Sequence, residues 1–168
     1  MKAPADAEFV FFYGTLLPEI AAPEVRRIVE KLERVDSASV AGRLYDLGPY
    51  PALASSGAAD PSSEARPPDA RVRGAVFRLP ADPHILRLLD RYEGHDAERP
   101  DRSLFVRTKK RAALDRGGEV TAWCYRYNGD LGGAPPIASG DYLAYRRMKD
   151  EEGLGLTGRE GNPRLHPA

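Results

Sequence analysis

The sequence predicts one α+β domain with a mixed, mostly antiparallel, curled β-sheet and two main helices. Short aromatic and β-branched segments that end at glycine or turn residues indicate strands. Two other segments repeat apolar residues at helical spacing, which indicates amphipathic helices packed on the sheet. The chain has 168 residues, a length that suits one compact domain with its own core.

The N-terminal third predicts two strands on either side of a helix. Phe9–Tyr13 is apolar and aromatic and stops at Gly14, which is typical of a buried strand that runs into a tight loop. Pro23–Leu32 predicts a helix, because its apolar residues lie on one face and proline is favoured in the first turn. A strand follows over Ser39–Leu47, and residues 48–51 predict a turn.

The second main helix has clear start and stop signals. Asp82 is a favourable N-cap, and Pro83 suits the first helical position. Gly94 is the expected end of the helix. The buried face is predicted to consist of Ile85, Leu88, Leu89 and Tyr92.

The other predicted elements come before and after this helix. Val72–Leu79 predicts a strand, and a hairpin is expected over 103–114 and 119–128 because Asp115–Gly118 supplies strong turn residues. A short helical segment is predicted over 143–148. Residues 1–149 are therefore expected to form the single domain, with a flexible loop at about 54–70 and a disordered tail over 150–168.

Composition and charge argue against several functional classes. The formal net charge is +0, whereas nucleic-acid binders normally carry a basic excess. The longest apolar stretch, Phe9–Leu17, is shorter than the roughly 20 residues that cross a bilayer, and the N-terminus lacks the pattern of a signal peptide. The lone Cys124 is consistent with a reducing compartment. We expect a cytoplasmic protein without nucleic-acid or membrane partners.

Motifs for cofactors and metals fail in context. Residues 153–158 match the G-x-G-x-x-G dinucleotide fingerprint, but no strand precedes them and only ten residues follow. The three histidines are scattered, and Cys124 has no second cysteine at metal-binding spacing. Cys124 is interpreted as a small buried thiol rather than a nucleophile. No metal or organic cofactor is predicted.

Three local features can still carry chemistry. The loop Tyr13-Gly14-Thr15-Leu16 could present successive backbone N–H groups to an anion. Glu93 lies in the last turn of the second helix, where the negative end of the helix dipole would raise the pKa of its carboxyl group. Taken by itself, Glu93 can equally be a solvated carboxylate at a helix end. Ser139–Tyr142 is a polar turn after the last strand.

The order of six segments resembles the γ-glutamylcyclotransferase-like family, which includes AIG2-like proteins and γ-glutamylamine cyclotransferases. The resemblance extends from about residue 9 to residue 143. The segments are Tyr13–Leu16, Gly42–Asp46 with Gly48–Leu53, Val72–Phe77, Leu89–Gly94, Trp123–Tyr127 and Ser139–Tyr142.

This resemblance implies a small mixed β-barrel with helices around it, and it assigns roles to residues. Glu93 matches the family's catalytic acid/base. Tyr13, Gly14, Thr15 and Leu16 match its substrate-binding loop, and Tyr142 corresponds to a position in the pocket wall. The sequence departs from the family at Phe105, where many members have a tyrosine whose hydroxyl group is therefore missing.

The activity implied by the resemblance is intramolecular aminolysis of a γ-glutamyl amide or peptide, with release of 5-oxoproline and a free amine. A related possibility is an enzyme that removes a γ-glutamyl group within a biosynthetic pathway. The alternative of a different class is a small binding or interaction domain that keeps the cavity without turnover. Neither the leaving group nor the oligomeric state follows from the sequence.

Overall fold

The computed structural model describes residues 7–54 and 70–152. The predictions of a flexible loop within 55–69 and of a disordered tail beyond residue 152 lie outside these residues. The strands are β1 (Glu8–Phe12), β2 (Glu33–Ala41), β3 (Arg43–Asp46), β4 (Pro51–Ala54), β5 (Arg71–Leu79), β6 (Phe105–Leu114) and β7 (Glu119–Tyr127). The helices are α1 (Pro23–Val29), α2 (Pro83–Glu93) and α3 (Tyr142–Glu152), with a 3₁₀ turn at Pro100–Arg102.

Five strands form a closed barrel in the order β1-β5-β2-β6-β7. All neighbouring pairs are antiparallel except β1 and β7, which pair in parallel where Val10 lies opposite Trp123. Strands β3 and β4 form a separate two-stranded antiparallel sheet. The prediction of a mixed, mostly antiparallel barrel is confirmed.

The barrel strands bury residues on both faces because side chains alternate along a strand. One cluster takes residues from all five barrel strands, among them Phe11, Val40, Val76 and Cys124. The other joins the opposite face of β1 and β5 to the helices: Phe12 and Phe77 pack with Val25 of α1 and Leu89 of α2. This second core fixes α2 against the barrel.

The prediction of one continuous strand over Ser39–Leu47 is wrong. The strand stops at Ala41, and Gly42 has a φ of +148°, which is accessible to glycine and rarely to other residues. The chain then leaves the barrel and forms β3. Pro51–Ala54, whose first residue is part of the predicted turn, pairs with β3 as β4. This sheet lies beside the site described below.

The signals around α2 and the hairpin are confirmed. The Asp82 side chain accepts a hydrogen bond from the His84 N–H at 2.9 Å, and Gly94 ends the helix in the left-handed conformation with a φ of +73°. Strands β6 and β7 pair from Phe105 opposite Tyr127 to Ala113 opposite Glu119.

The C-terminal helix is longer than predicted. It spans Tyr142–Glu152 rather than 143–148, so residues 150–152 are helical and not part of a disordered tail. The described residues therefore contain three α-helices, and the third lies at the predicted short helical segment. None of the helices in the described ranges has the length and apolar character that a membrane-spanning helix requires.

Candidate active site

A cleft opens where the end of β1, the start of β4 and the C-terminal end of α2 meet. Its walls are mostly aromatic and apolar, and Glu93 is the one acidic side chain among its described lining residues. The lining consists of Phe11, Phe12, Tyr13, Gly14, Thr15, Leu16, Tyr50, Pro51, Glu93, Phe105 and Tyr125.

Glu93 is the last residue of α2 and lies on its buried face. Ile85, Leu89 and Glu93 are the buried residues of this helix, and their spacing of four places them on one stripe. Leu88 and Tyr92, which were predicted to be buried, are only half-buried. The side chain that continues the apolar stripe into the cleft is therefore a carboxylic acid, which is 7% exposed.

The Glu93 carboxyl group has no hydrogen bond or ion pair with any residue that the structure describes. Burial raises its pKa from the ordinary value of 4.5 to about 8, because the charged form loses hydration. The predicted direction of the shift is confirmed, and burial is its cause. A carboxyl group with this pKa can both accept and donate a proton near neutral pH.

The loop that follows β1 forms another wall of the cleft. The Leu17 N–H donates to the Gly14 carbonyl at 2.9 Å and closes a tight turn. Thr15 and Leu16 line the cleft, and their N–H groups have no acceptor among the residues of the described ranges. Such a turn can bind an anion through its backbone. The structure thus brings the 13–16 loop and Glu93 to one cleft.

The hydroxyl group of Tyr13 is occupied within the protein. It donates to the Tyr125 carbonyl oxygen at 2.6 Å and accepts a hydrogen bond from the Leu53 N–H at 3.3 Å. Both bonds are buried, and burial raises the pKa of the phenol well above its ordinary value. The hydroxyl therefore joins β4 and β7, and the tyrosine contributes only its ring to the wall of the cleft.

Tyr13→Phe is expected to lower the free energy of unfolding by about 1–3 kcal/mol, since two buried backbone groups lose their partner. Urea unfolding of the variant and the parent protein measures the difference. A variant of unchanged stability that binds a cleft ligand more weakly would contradict this interpretation and indicate a hydroxyl contact with the ligand.

Gly14 is required where the loop crosses β4. A Cβ atom at this position would lie 2.5 Å from Pro51 Cγ and 3.0 Å from Pro51 Cδ. The proline ring is rigid and buried, so it cannot move aside as a flexible side chain would. The absence of a side chain therefore lets the loop approach β4 closely.

Gly14→Ala is expected to destabilise the protein by about 1–3 kcal/mol, the usual cost of overpacking. The matched control is Gly133→Ala, because a Cβ atom there meets nothing within 4 Å and the backbone needs no positive φ. Thermal unfolding of both variants measures the effect. Equal midpoints for the two would show that the contact with Pro51 is unimportant.

The family model described as "Gamma-glutamyl cyclotransferase, AIG2-like" matches residues 10–144. The chain belongs to this family. The match includes Glu93 and the 13–16 loop, and confirms the resemblance found in the sequence.

Solved structures share the fold at low sequence identity. YkqA from Bacillus subtilis matches with a TM-score of 0.60 and 16% identity, over 86% of this chain and 43% of that one. This chain thus corresponds to less than half of YkqA. An AIG2-like protein from Mus musculus matches with a TM-score of 0.57 and 19% identity, over 93% and 99% of the two chains.

A third structure, named "Gamma-glutamyl cyclotransferase", matches with a TM-score of 0.51 and 18% identity, over 90% of this chain and 82% of that one. No curated protein matches the chain at the sequence level. At these identities the structural comparisons establish the shared fold.

In this member of the γ-glutamyl cyclotransferase, AIG2-like family, Tyr142 does not reach the cleft that contains Glu93. It is buried at the start of α3 and lines a separate, more polar pocket together with Leu17 and Arg73. The ring of Tyr13 borders both cavities. The expected place of Tyr142 in the wall of the Glu93 cleft is therefore corrected.

Apart from Phe105, five lining residues of the cleft were not predicted as site residues: Phe11, Phe12, Tyr50, Pro51 and Tyr125. Tyr50 packs edge-on against Phe105, with 5.7 Å between ring centroids. Tyr50 and Pro51 look like turn residues until β3 and β4 pair. Tyr125 could be placed only with the register of β7 known, since alternation alone does not say which face meets α2.

Neither the cleft nor any other part of residues 7–54 and 70–152 contains a set of side chains suited to bind a metal ion. No group of three or more histidine, cysteine or acidic side chains there is arranged to hold an ion. Cys124 is fully buried, and burial raises the pKa of its thiol to about 12. This thiol is inert as a nucleophile near neutral pH, since the thiolate is the reactive form.

Proposed function

We propose that this chain is a γ-glutamyl cyclotransferase that releases 5-oxoproline and a free amine from a γ-glutamyl amide or peptide. The observation that carries the proposal is the buried Glu93 carboxyl group, which shares a cleft with the 13–16 loop and has no partner among the described residues. The family of the chain supports the same chemistry.

The reaction is an intramolecular aminolysis. The α-amine nitrogen of the γ-glutamyl group attacks its own γ-carbonyl carbon, and a new C–N bond closes a five-membered ring. The original amide C–N bond then breaks, and the leaving amine takes up the proton that the attacking amine has lost. The reaction is redox-neutral, and we propose that it proceeds without a metal or an organic cofactor.

Glu93 is proposed to move this proton. Its carboxylate accepts the proton from the attacking amine, and the resulting carboxylic acid donates it to the leaving nitrogen. The pKa of about 8 suits both steps near neutral pH, because neither protonation state is strongly disfavoured. General acid–base catalysis of this kind typically accelerates a reaction by about 10² to 10⁴.

The 13–16 loop is proposed to bind the α-carboxylate of the glutamyl group through the N–H groups of Thr15 and Leu16. An anchored carboxylate would hold the glutamyl chain folded, with its amine near the γ-carbonyl carbon. Well-oriented intramolecular reactions gain roughly 7–11 kcal/mol from such positioning. The aromatic wall, which includes Tyr50 and Phe105, would then surround the leaving group.

The test is release of 5-oxoproline from a panel of γ-glutamyl amides, γ-glutamyl amino acids and ε-(γ-glutamyl)lysine. Release from at least one compound is expected, and the compound with the highest kcat/KM identifies the leaving group. A preference for a biosynthetic γ-glutamyl amide would indicate an enzyme that removes a protecting γ-glutamyl group.

The second candidate function is a ligand-binding domain without turnover. Phe105 favours it, because the ring lacks the hydroxyl group that many family members place there. Compounds of the panel that raise the unfolding temperature without forming 5-oxoproline would support this function and contradict the enzymatic one. In either case we propose a cytoplasmic location, which the single, buried cysteine supports.

A further inference from the structure

The last turn of α2 carries a second carboxylate, Asp90. Unlike Glu93, Asp90 accepts several hydrogen bonds from described side chains. Asp90 Oδ1 accepts hydrogen bonds from the Tyr125 hydroxyl group at 2.7 Å and from Arg107 Nε at 2.7 Å. Its Oδ2 accepts a third bond, from Arg107 Nη2, at 3.1 Å. Two-point arginine–carboxylate pairs of this kind restrict both distance and orientation.

This pair is more shielded than the other ion pairs among the described residues. The side chains of Arg107 and Asp90 are 16% and 15% exposed. In every other pair among the described residues, the more exposed partner is at least 46% exposed. Water therefore screens the Arg107–Asp90 pair least, and the pair can hold its two elements together.

Further contacts join the end of α2 to β6 and β7. The Arg107 N–H donates to His95 Nδ1 at 3.2 Å, and the His95 N–H donates to the Asp90 carbonyl oxygen at 2.9 Å. The guanidinium group of Arg107 also lies over the Trp123 ring, 4.3 Å from its centroid. These contacts hold the turn after α2 against β6.

Tyr125 connects this network to the cleft. Its ring is 2% exposed and lines the cleft, its hydroxyl group binds Asp90, and its carbonyl oxygen accepts the hydrogen bond from Tyr13. A series of hydrogen bonds therefore extends from the first residue of the 13–16 loop, through Tyr125, to the helix that carries Glu93.

The position of Glu93 depends on its own helix and on the packing around it. The carboxyl group has no hydrogen bond of its own among the described residues, so the backbone of the last turn and the packing around it determine where it lies. Asp90 precedes Glu93 by three residues, a spacing that makes the two side chains neighbours on the helix surface. A rotation of the last turn that moved Asp90 would also move Glu93.

We propose that Tyr125, Asp90 and Arg107 form a positioning unit that fixes the last turn of α2 and so holds the Glu93 carboxyl group buried in the cleft that the 13–16 loop also lines. The three residues act through Glu93 rather than on the substrate. The catalytic consequence rests on the proposed function, whereas the structural consequence for Glu93 does not.

The ionisation of Glu93 reports directly on its position. Its pKa is high because it is buried, so a looser last turn that admits water would lower it. The titratable groups around it are the phenols of Tyr13, Tyr50, Tyr92 and Tyr125 and the Cys124 thiol, whose pKa values are all raised. They remain neutral while Glu93 titrates.

The charges of Asp90 and Arg107 also face this region, so the test keeps both. Arg107→Lys retains the positive charge but loses the two-point contact, and Tyr125→Phe removes one hydroxyl group from the unit. Each has a matched control. Arg73→Lys alters the exposed pair with Asp115, whose bonds measure 2.8 and 2.9 Å, and Tyr145→Phe removes the hydroxyl group that binds Asp46 at 2.6 Å.

The first measurement is an NMR titration of the ¹³C-labelled Glu93 carboxyl carbon, assigned with Glu93→Gln. In Arg107→Lys and Tyr125→Phe the pKa of Glu93 is expected to fall from about 8 toward its ordinary value of 4.5, while both controls leave it unchanged. An unchanged Glu93 pKa in both folded variants would overturn the proposal. Tyr125→Phe removes only one oxygen atom and is expected to fold. The titration can therefore rely on this variant if Arg107→Lys does not fold.

The second measurement is the kinetics of the best panel substrate. Misplacement of a catalytic group by about 1 Å can cost roughly 100-fold in rate, so kcat is expected to fall about 10- to 100-fold in Arg107→Lys with KM little changed. A rise in KM alone would overturn the catalytic part. If the titration shows the expected shift but no protein releases 5-oxoproline, the positioning unit stands and the proposed function fails.

Discussion

Glu93→Gln is expected to lower the release of 5-oxoproline by about 10² to 10⁴, the typical contribution of general acid–base catalysis. The amide has nearly the same shape as the carboxylic acid, but it cannot accept the proton of the attacking amine or donate one to the leaving nitrogen. Because the Glu93 carboxyl group has no partner among the described residues, no ion pair or hydrogen bond of the protein is lost with it. Substrate binding should therefore persist, with kcat affected far more than KM.

The assay compares kcat and KM of the parent protein, Glu93→Gln and the control Glu98→Gln on the best substrate of the panel. Glu98 is exposed and lies outside the cleft, so its variant should retain the parent rate. Near-normal turnover by Glu93→Gln would show that another group moves the proton and would remove Glu93 from the mechanism.

Elements determined by local chemistry were predictable from the sequence. The N-cap at Asp82 and the left-handed glycine at Gly94 bound α2 as expected, because both are interactions between near neighbours in the chain. The hairpin of β6 and β7 was predictable for the same reason, since four turn residues separate two strands that alternate in side-chain direction.

Elements that depend on distant partners were not predictable. Nothing between residues 39 and 47 marks the break at Gly42 except the glycine itself. Pro51–Ala54 is a strand only because β3 lies beside it, with Leu44 opposite Leu53. Pairing of this kind stabilises a short segment whose own sequence, Pro-Ala-Leu-Ala, carries no strand signal, so tertiary structure overrides local preference.

The residues of the site also divide into those predictable from the sequence and those that depend on distant parts of the chain. Glu93 and the 13–16 loop are found in sequence through the family resemblance, and the spacing of Ile85, Leu89 and Glu93 could have indicated that the carboxyl group is buried. The bound hydroxyl group of Tyr13 could not be foreseen, because its acceptor lies 112 residues away on β7. The separation of Tyr142 from the cleft likewise depends on how α3 packs.

The second large effect expected from Glu93 concerns stability rather than rate. Its pKa is about 8 in the folded protein against an ordinary value of 4.5, so between these pH values the folded state holds a proton that the unfolded chain has lost. Stability must then fall as pH rises from about 4.5 to about 8, and the loss is complete above that range. Between pH 4.5 and pH 7, the free energy of unfolding is expected to fall by about 3 kcal/mol for this reason.

Glutamine does not ionise, so Glu93→Gln should be free of this loss. The free energy of unfolding, measured in urea from pH 5 to pH 8.5, should show the variant gaining on the parent protein by about 4 kcal/mol across the range. All other titrating groups are common to the two proteins and cancel in the difference, apart from those in contact with residue 93.

A difference that does not change with pH would mean that Glu93 is hydrated in solution and that its pKa is ordinary. Such a carboxylate could still accept a proton, but it would be a weak acid/base near neutral pH and the proposed mechanism would lose its physical basis. A difference that grows with pH, together with lost turnover, would mean that the same burial that destabilises the fold prepares Glu93 for proton transfer. A buried ionisable group that serves function is expected to carry such a cost.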